Sequence, residues 1–252
     1  MSFAVAAEAY DSFMGRYSTR LAPAFLSFAR VDRAPVVDVG CGPGALTSVL
    51  VQRFGSEGVV AADPSEPLVE AARQRHPGVR VELAPAEDLP FADGTFAASL
   101  AQLVVHFMAD PVAGLREMAR VTEVGGVVAA CVWDLTSHRS PSGPFWEAAR
   151  AVNPDVVDGS GLAGAREGEL PELFGAAGLK RVEDGVLAIQ AEHGSFDEYW
   201  GPFSLGVGPA GAYLASVDEP ARVAIEQRCR AALPDGPFTL EFRAWAARGV
   251  SR

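Results

Sequence analysis

The sequence predicts an α/β fold, a doubly wound and mostly parallel sheet with helices on both faces. Two observations predict it. In the first half of the 252 residues, short apolar runs alternate with segments whose apolar residues recur at helical spacing. Polar residues follow the ends of several runs, where the carboxyl ends of parallel strands bind ligands. We therefore expect one sizeable core with a binding crevice along one edge of the sheet.

The first apolar run, Val36 to Val39, is typical of a buried strand, and it enters a glycine-rich turn from Gly40 to Gly44. Glycine lets the backbone turn sharply and approach a ligand closely. The following segment places Leu46, Leu50 and Phe54 on one face of a helix that can pack against the sheet. A strand, a glycine-rich turn and a helix together indicate a site for a nucleotide cofactor.

Asp38 bears on which cofactor that is. Gly40, Gly42 and Ala45 also satisfy the G-x-G-x-x-A form of a dinucleotide site. A carboxylate two residues before the first glycine is unfavourable beside a pyrophosphate, which is negatively charged. It is favourable beside a cofactor that carries an ammonium and a sulfonium group.

The second apolar run, Val59 to Ala62, ends at Asp63, about twenty residues beyond the turn, where a ribose-binding carboxylate is expected. A carboxylate there can accept hydrogen bonds from both ribose hydroxyls. A helix follows from Pro64, and His76 to Gly78 ends it. The chain to this point is one βαβα unit.

The third to fifth strands follow in the same order. The predicted elements are strands over Val79 to Ala84, Phe96 to Ala101 and Val127 to Trp133, a helix over Pro111 to Val121, and a turn at Gly125-Gly126. Because parallel strands end at one edge, residues at or just beyond these ends are expected to converge on one crevice. They are Asp38, Asp63, Glu87, Gln102 and Trp133.

The second half predicts fewer regular elements. Leu170 to Ala177 is typical of a helix, and Val182 to Gln190 and Phe238 to Ala247 are typical of strands. Leu135 to Gly168, rich in Gly, Pro and Ser, is expected to be irregular. Residues 195–233 predict a helical insertion over the crevice, with a Gly/Pro-rich break from 201 to 211.

The run Asp38-Val39-Gly40-Cys41-Gly42-Pro43-Gly44 resembles the first motif of the class I S-adenosylmethionine-dependent methyltransferases, in their small-molecule, type 11-like branch. The resemblance is strongest from Val36 to Trp133. It implies a Rossmann-like sheet of seven strands, one of them antiparallel, and S-adenosylmethionine as cofactor. Two alternatives remain: an NAD(P)-dependent oxidoreductase, and a non-catalytic protein of the same fold that binds the cofactor.

The resemblance also implies which residues hold the cofactor. A turn near Glu87 and Asp88 would lie against adenine, although Ala84-Pro85 replaces the Gly-Asp pair of many relatives and leaves the contacting side chain open. Arg16 would pair with the methionine carboxylate, or it is a solvated charge. The expected cofactor-binding residues are Tyr10, Arg16, Asp38, Gly40, Cys41, Gly42, Gly44, Asp63, Pro64, Ala86, Glu87, Asp88 and Gln102.

Several aromatic residues are expected near the crevice, and they could form an apolar pocket for a small organic acceptor. The candidates are Trp133, Trp146, Tyr199 and Trp200, each of which is alternatively a core residue. His106, just beyond the fourth strand, is the candidate general base. Alternatively it is a hydrogen-bonded core histidine, and alignment of the acceptor with the methyl carbon is enough for the reaction.

Bulk properties set the remaining expectations. The net charge of −11 argues against a nucleic-acid substrate, and no apolar stretch reaches the ~20 residues of a membrane span, so we expect a cytoplasmic protein. Cys41, Cys131 and Cys229 lack metal-ligand spacing, so we expect free thiols and no metal. We expect a single domain, residues 1–252, with N-terminal cap helices (1–30), a cofactor-binding half (31–134) and a substrate-side half (135–252) that contains the insertion near 195–233.

Overall fold

The computed structural model describes residues 11–206 and 208–252. Its strands are β1 (Val36–Val39), β2 (Val59–Asp63), β3 (Arg80–Leu83), β4 (Phe96–Gln102), β5 (Thr122–Trp133), β6 (Lys180–His193) and β7 (Phe238–Val250). Its α-helices are α1 (Arg16–Ala29), α2 (Ala45–Phe54), α3 (Glu66–Arg75), α4 (Pro111–Val121), α5 (Gly143–Val152), α6 (Glu169–Ala176), α7 (Phe196–Ser204), α8 (Gly208–Ser216) and α9 (Glu219–Ala232).

The seven strands form one sheet in the order β3-β2-β1-β4-β5-β7-β6. The β2–β3, β1–β2, β1–β4 and β4–β5 pairs are parallel. Strand β7 runs antiparallel to both β5 and β6. The predicted doubly wound sheet with one antiparallel strand is confirmed. The strand order reverses direction between β1 and β4, the position at which such sheets open a crevice for ligands.

Helices cover both faces of the sheet. On one face, Tyr17, Leu21 and Phe25 of α1 and Leu46 and Leu50 of α2 belong to one apolar cluster with the strands. On the other face, α4 and α6 complete a second cluster. Because both faces are covered, the central strands β1 and β4 are buried along their whole length.

The antiparallel pair at the edge is longer than the sequence indicated. Strand β5 ends at Trp133, opposite Ala244 of β7, but the β6–β7 ladder continues to His193 opposite Phe238. At about 3.3 Å per residue, β6 and β7 project roughly 20 Å beyond the end of β5. Helix α7 follows the end of β6 directly.

The turn predicted at Gly125-Gly126 is wrong. Both glycines lie inside β5, which begins at Thr122, and the β4–β5 register shifts between Phe96 and Ala98. Gly125 takes a left-handed φ of 83° in this irregular stretch. Gly126 is packed so closely that a Cβ atom would lie 2.7 Å from the carbonyl oxygen of Ala97.

Two expectations for the second half also need correction. The segment from Leu135 to Gly168 contains a full helix, α5, whose apolar face packs against α9. The break in the insertion is much shorter than residues 201–211, because Gly201 and Pro202 lie inside α7 and Gly208 to Gly211 lie inside α8. Packing of these helices around a third apolar cluster outweighs the low helix propensity of Gly and Pro.

No helix within residues 11–206 and 208–252 has the length and apolar character needed to cross a membrane.

Candidate functional site

The glycine-rich turn lies between the ends of β1 and β2. Gly40, Gly42 and Gly44 have left-handed φ values of 69°, 55° and 98°, which side chains rarely allow. The Gly40 N–H donates to the carbonyl of Ala62 at 2.7 Å, which ties the turn to the end of β2. The glycines and this hydrogen bond together define the conformation of the turn.

Asp63 lies at the end of β2, where the sequence predicted it, and it faces the crevice. Its carboxylate accepts from the Gly42 N–H at 2.8 Å and from the Ser65 N–H at 2.9 Å, one bond to each oxygen. Burial raises the pKa of this carboxyl, and the two backbone hydrogen bonds oppose that shift. Each oxygen keeps acceptor capacity for a further donor, as two ribose hydroxyls require.

Asp38, which the sequence analysis expects to hold the cofactor, lines neither of the two depressions described below. Its side chain is buried within β1 and accepts from the Thr47 hydroxyl of α2 at 2.6 Å. Burial raises the pKa of Asp38 to about 7, the hydrogen bond from Thr47 lowers it, and the nearby Asp63 raises it further. Asp38 thus joins the first strand to the helix after the turn.

Two adjoining depressions lie at the carboxyl ends of β1, β2 and β4. They share Gly40, Pro64, Val104 and Phe107. The first is also lined by Gly42, Asp63, Leu68, Gln102 and Leu103. The second is also lined by Pro85, Ala86, Glu87, Met108 and Ala109.

The segment expected beside adenine is only partly in the second depression. Ala86 and Glu87 line it, but Asp88 is exposed and is not among the lining residues. The Glu87 carboxylate accepts from the Ala109 N–H at 2.7 Å and from the Asp110 N–H at 3.2 Å. Glu87 therefore fixes the loop between β4 and α4, and the depression also offers the apolar surface of Met108.

Gln102, the last residue of β4, is 9% exposed and lines the first depression. Its amide nitrogen donates to the carbonyl of Ser18 in α1 at 3.1 Å, while its Oε1 has no hydrogen-bond partner in the described part of the chain. The next residue, Leu103, has a left-handed φ of 64°, which is strained for a residue with a side chain.

Several residues that line the depressions were not predicted from the sequence. They are Leu68, Leu103, Val104, Phe107, Met108 and Ala109. In the apolar run after β4 the sequence indicated only His106, and no sequence signal distinguished Phe107, which is exposed in the structure. The short 3₁₀ turn over Val105–Phe107 turns these side chains toward the crevice.

Arg16 lies away from both depressions. Its guanidinium pairs with Glu198 of α7 at 2.8 Å and donates to the carbonyl of Glu192 at 3.0 Å. Tyr10, the other expected residue of the N-terminal segment, lies outside the described residues. The Cys41 thiol is buried, and its Sγ donates to the carbonyl of Gly42 at 3.3 Å. Gly44 is packed against the ring of His76.

His106 lacks the features of a strong base. The ring is buried, and burial without a charged partner lowers its pKa to about 3. Its Nδ1 has no hydrogen-bond partner among the described residues. The side chain also does not line either depression. A neutral imidazole of this pKa binds a proton weakly at neutral pH.

Of the four aromatic residues expected to face an acceptor, only Trp133 lies at a strand end. Trp146, Tyr199 and Trp200 are buried together with Phe145 in the third apolar cluster. The rings of Phe145 and Trp146 are 5.1 Å apart, and the Tyr199 hydroxyl donates to the carbonyl of Pro141 at 3.0 Å. These three residues hold α5, α7 and the loop before α5 together.

The charges around the depressions favour a cationic ligand. Asp63 lines the first depression, Asp38 lies behind it, and Glu87 lines the second. No lysine or arginine of the described ranges lines either depression. A pyrophosphate would find no cationic partner here, whereas a sulfonium and an ammonium would be attracted. The unpartnered Gln102 Oε1 is suited to accept from an ammonium.

The sequence profile of the family described as "Methyltransferase domain" matches residues 37–130. Demethylmenaquinone methyltransferase of Mycobacterium sp. (strain KMS) is 37% identical over 180 residues, which are 61% of this chain and 77% of the relative. A chloroplastic 2-methyl-6-phytyl-1,4-hydroquinone methyltransferase of Oryza sativa subsp. japonica is 38% identical over 99 residues, 38% of this chain. The match spans only 28% of the rice protein's length.

A solved structure, the YcgJ protein from Bacillus subtilis, has the same fold. It superposes with a TM-score of 0.58 at 19% sequence identity and covers 94% of this chain and 99% of its own. The sheet order, the glycine-rich turn with Asp63, and the 37% identity over most of a mycobacterial methyltransferase agree with one another. This chain belongs to the class I S-adenosylmethionine-dependent methyltransferase family.

Proposed function

We propose that this protein transfers the methyl group of S-adenosylmethionine to a small organic acceptor and releases S-adenosylhomocysteine. The observation that carries the proposal is the acidic pair of depressions at the ends of β1, β2 and β4, which has no lysine or arginine in its described lining. The named relatives act on small molecules, as their names state, which supports an acceptor of that class.

The residues of the two depressions fit the parts of the cofactor. Asp63 would accept from the ribose hydroxyls, and Gln102 Oε1 would accept from the ammonium of the methionine end. Ala86, Met108 and Phe107 offer backbone and apolar surface to the adenine. We assign cofactor binding to residues 31–134 and acceptor selection to the rest of the chain.

S-adenosylmethionine supplies, when bound, a methyl group already activated by its attachment to a positively charged sulfur. The acceptor atom gains the methyl group and gives up one proton. The chain's task is to align the acceptor atom and to exclude water from the crevice. With a pKa of about 3, His106 contributes to packing more than to proton removal.

Negative charge near the crevice also distinguishes the two enzymatic alternatives. Asp63 is close enough to raise the pKa of Asp38, and a cationic ligand nearby would favour the ionised form of both carboxyls. A nicotinamide dinucleotide would add negative charge to the same place. We therefore place the methyltransferase reaction ahead of NAD(P)-dependent oxidation.

Incubation of the protein with methyl-labelled S-adenosylmethionine and a small-molecule extract tests the proposal. We expect label to appear in a low-molecular-weight product, with S-adenosylhomocysteine in equal amount. Asp63→Ala protein is the control and should give little product. Binding of S-adenosylhomocysteine without any labelled product would instead favour a non-catalytic cofactor-binding protein.

A further inference from the structure

The carboxyl end of helix α3 lies against the glycine-rich turn. Arg75, the last residue of α3, donates from its guanidinium to the carbonyl of Pro43 at 2.9 Å. His76, which follows it, places Nε2 3.1 Å from the carbonyl oxygen of Gly44. We name Arg75 and His76 the α3 clamp. Neither residue lines either depression, so the α3 clamp reaches the turn and not the space for a ligand.

The contact between His76 and Gly44 is a hydrogen bond with a defined direction. The Gly44 carbonyl oxygen also accepts from the N–H and from the hydroxyl of Ser48, each at 2.9 Å. A protonated Nε2 of His76 donates to this oxygen, whereas an unprotonated Nε2 would place two acceptors 3.1 Å apart. The Nε2–H form of the ring therefore fits the geometry.

Gly44 makes room for the His76 ring. A Cβ atom on Gly44 would lie 2.5 Å from Nε2 and 2.6 Å from Cδ2 of His76. The left-handed φ of 98° at Gly44 also favours glycine. Gly40 and Gly42 line the first depression, but Gly44 lines neither. The α3 clamp can therefore contact the turn because the third glycine has no side chain.

The α3 clamp holds the part of the turn that the strands do not hold. On the strand side, hydrogen bonds to Ala62 and Asp63 hold the first three residues of the turn, 40–42. The α3 clamp holds the last two, 43 and 44. Glycine loses more conformational freedom on ordering than any other residue, so a turn with three glycines depends on such contacts. A binding conformation that is populated only part of the time lowers ligand affinity by that fraction.

We propose that Arg75 and His76 are positioning residues, which hold the glycine-rich turn in the conformation that binds S-adenosylmethionine. They act through the carbonyls of Pro43 and Gly44. This inference rests on the proposed methyltransferase function, and it adds to the cofactor site two residues that lie outside the glycine-rich motif.

Calorimetric titration of S-adenosylhomocysteine into the full chain at pH 7.5 tests the proposal. His76→Leu removes the Nε2 donor, so we expect the dissociation constant to rise about five- to thirtyfold. His76→Gln can place an amide N–H near the Gly44 carbonyl, and its dissociation constant should stay within about threefold of the wild-type value. Arg75→Met keeps the aliphatic stem and should raise the dissociation constant about three- to tenfold.

Arg73→Met is the matched control. Arg73 lies two residues earlier in α3 and donates through Nε and Nη2 to the carbonyl of Val81 in β3, at 3.2 and 2.7 Å. Arg73→Met therefore loses hydrogen bonds of the same kind as Arg75→Met, but not at the turn. It should leave the S-adenosylhomocysteine dissociation constant unchanged even if its melting temperature falls. An equal loss of affinity in Arg73→Met and Arg75→Met would overturn the proposal.

Hydrogen–deuterium exchange without ligand measures the turn itself. We expect the amides of residues 40–48 to exchange faster in His76→Leu than in the wild type, and His76→Gln to restore slow exchange. A lower melting temperature of His76→Leu together with wild-type affinity and wild-type exchange would show a purely structural contact and overturn the proposal. If His76→Leu fails to fold, Arg75→Met decides by the same measurements.

The wild-type titration separates this proposal from the proposed function. A wild-type protein that does not bind S-adenosylhomocysteine would refute the proposed function itself. Wild-type binding with unchanged affinity in both His76→Leu and Arg75→Met would refute only the α3 clamp.

Discussion

Asp63 combines two tasks at the scale of single residues. Its carboxylate holds the Gly42 and Ser65 amides, and it also faces the first depression. Asp38, one strand away, is buried against Thr47 and lines neither depression. The two carboxylates point to the same face of the sheet, but Asp63 is the last residue of β2, whereas Asp38 lies within β1.

Asp63→Ala should weaken S-adenosylhomocysteine binding by about ten- to a hundredfold, because it removes the ribose acceptors and releases the turn. Asp63→Asn should cost less, since the amide oxygen still accepts one hydrogen bond. Asp88→Ala is the control, since Asp88 is exposed and lines neither depression. Calorimetry measures all three. Normal affinity in a folded Asp63→Ala protein would remove Asp63 from the site.

His106 should make the protein less stable in acid. Its pKa is about 3 in the folded chain and 6.5 ordinarily, so the unfolded chain binds a proton more readily between these values. The stability contribution is present above pH 6.5 and is lost as pH falls toward 3. Urea unfolding at pH 7.5 and at pH 5 measures the free energy of unfolding at each pH. Between these two pH values, that free energy should fall less in His106→Asn than in the wild type.

Asp38 acts in the opposite direction, because its raised pKa favours the folded chain at low pH, but it is common to both proteins. An unchanged slope in His106→Asn would contradict a buried neutral ring. A drop in methyl transfer of ~10²-fold or more in His106→Asn would restore the general-base role.

At the scale of elements, the start of α1 is joined to the substrate-side half. Arg16 connects α1 to the end of β6 and to α7, and Gln102 connects β4 to α1. Helix α1 therefore bridges the cofactor depression and the projecting β6–β7 pair. Its position depends on contacts from both halves of the chain.

Arg16→Gln should leave the S-adenosylhomocysteine affinity unchanged, because the Arg16 guanidinium pairs with Glu198 and Arg16 lines neither depression. The ion pair is partly exposed, so the expected stability loss is below about 1 kcal/mol. If the ion pair accounts for the whole stability loss, Glu198→Gln should have the same melting temperature as Arg16→Gln. A tenfold loss of cofactor affinity in Arg16→Gln alone would show that Arg16 reaches the methionine carboxylate.

The irregular stretch of β5 gives a second test at this scale. Gly126→Ala should destabilise the protein by about 1–3 kcal/mol, because the new Cβ would lie 2.7 Å from the Ala97 carbonyl oxygen. Gly175→Ala in α6 is the control, since nothing lies within 4 Å of its Cβ position. It should be neutral or stabilising by up to about 1 kcal/mol. Equal melting temperatures for the two variants would contradict the register of β4 and β5.

At the scale of the whole molecule, local signals predicted the cofactor half well. The strand, the glycine-rich turn and Asp63 lie within 28 residues, and their geometry follows from backbone rules that a sequence displays. The position of Arg16 did not follow, because its partner Glu198 is 182 residues away. Trp146 and Trp200 likewise turned out to be core residues, since helix packing across distant segments decides which aromatic faces a crevice.

The arrangement of charge across the molecule is what separates a methyltransferase from a dinucleotide enzyme with a similar turn. Each of the two depressions is lined by a carboxylate, and the chain has a net charge of −11. A positively charged cofactor is attracted to such a crevice, whereas a pyrophosphate is repelled. The preference should therefore appear directly in equilibrium binding.

Calorimetric titration with S-adenosylhomocysteine and, separately, with NADH measures that preference most directly. We expect saturable one-to-one binding of S-adenosylhomocysteine and no measurable heat from NADH. S-adenosylmethionine should bind as well, because the acidic lining favours its sulfonium. Saturable NADH binding together with no S-adenosylhomocysteine binding would contradict the assignment of the crevice to a cationic methyl donor.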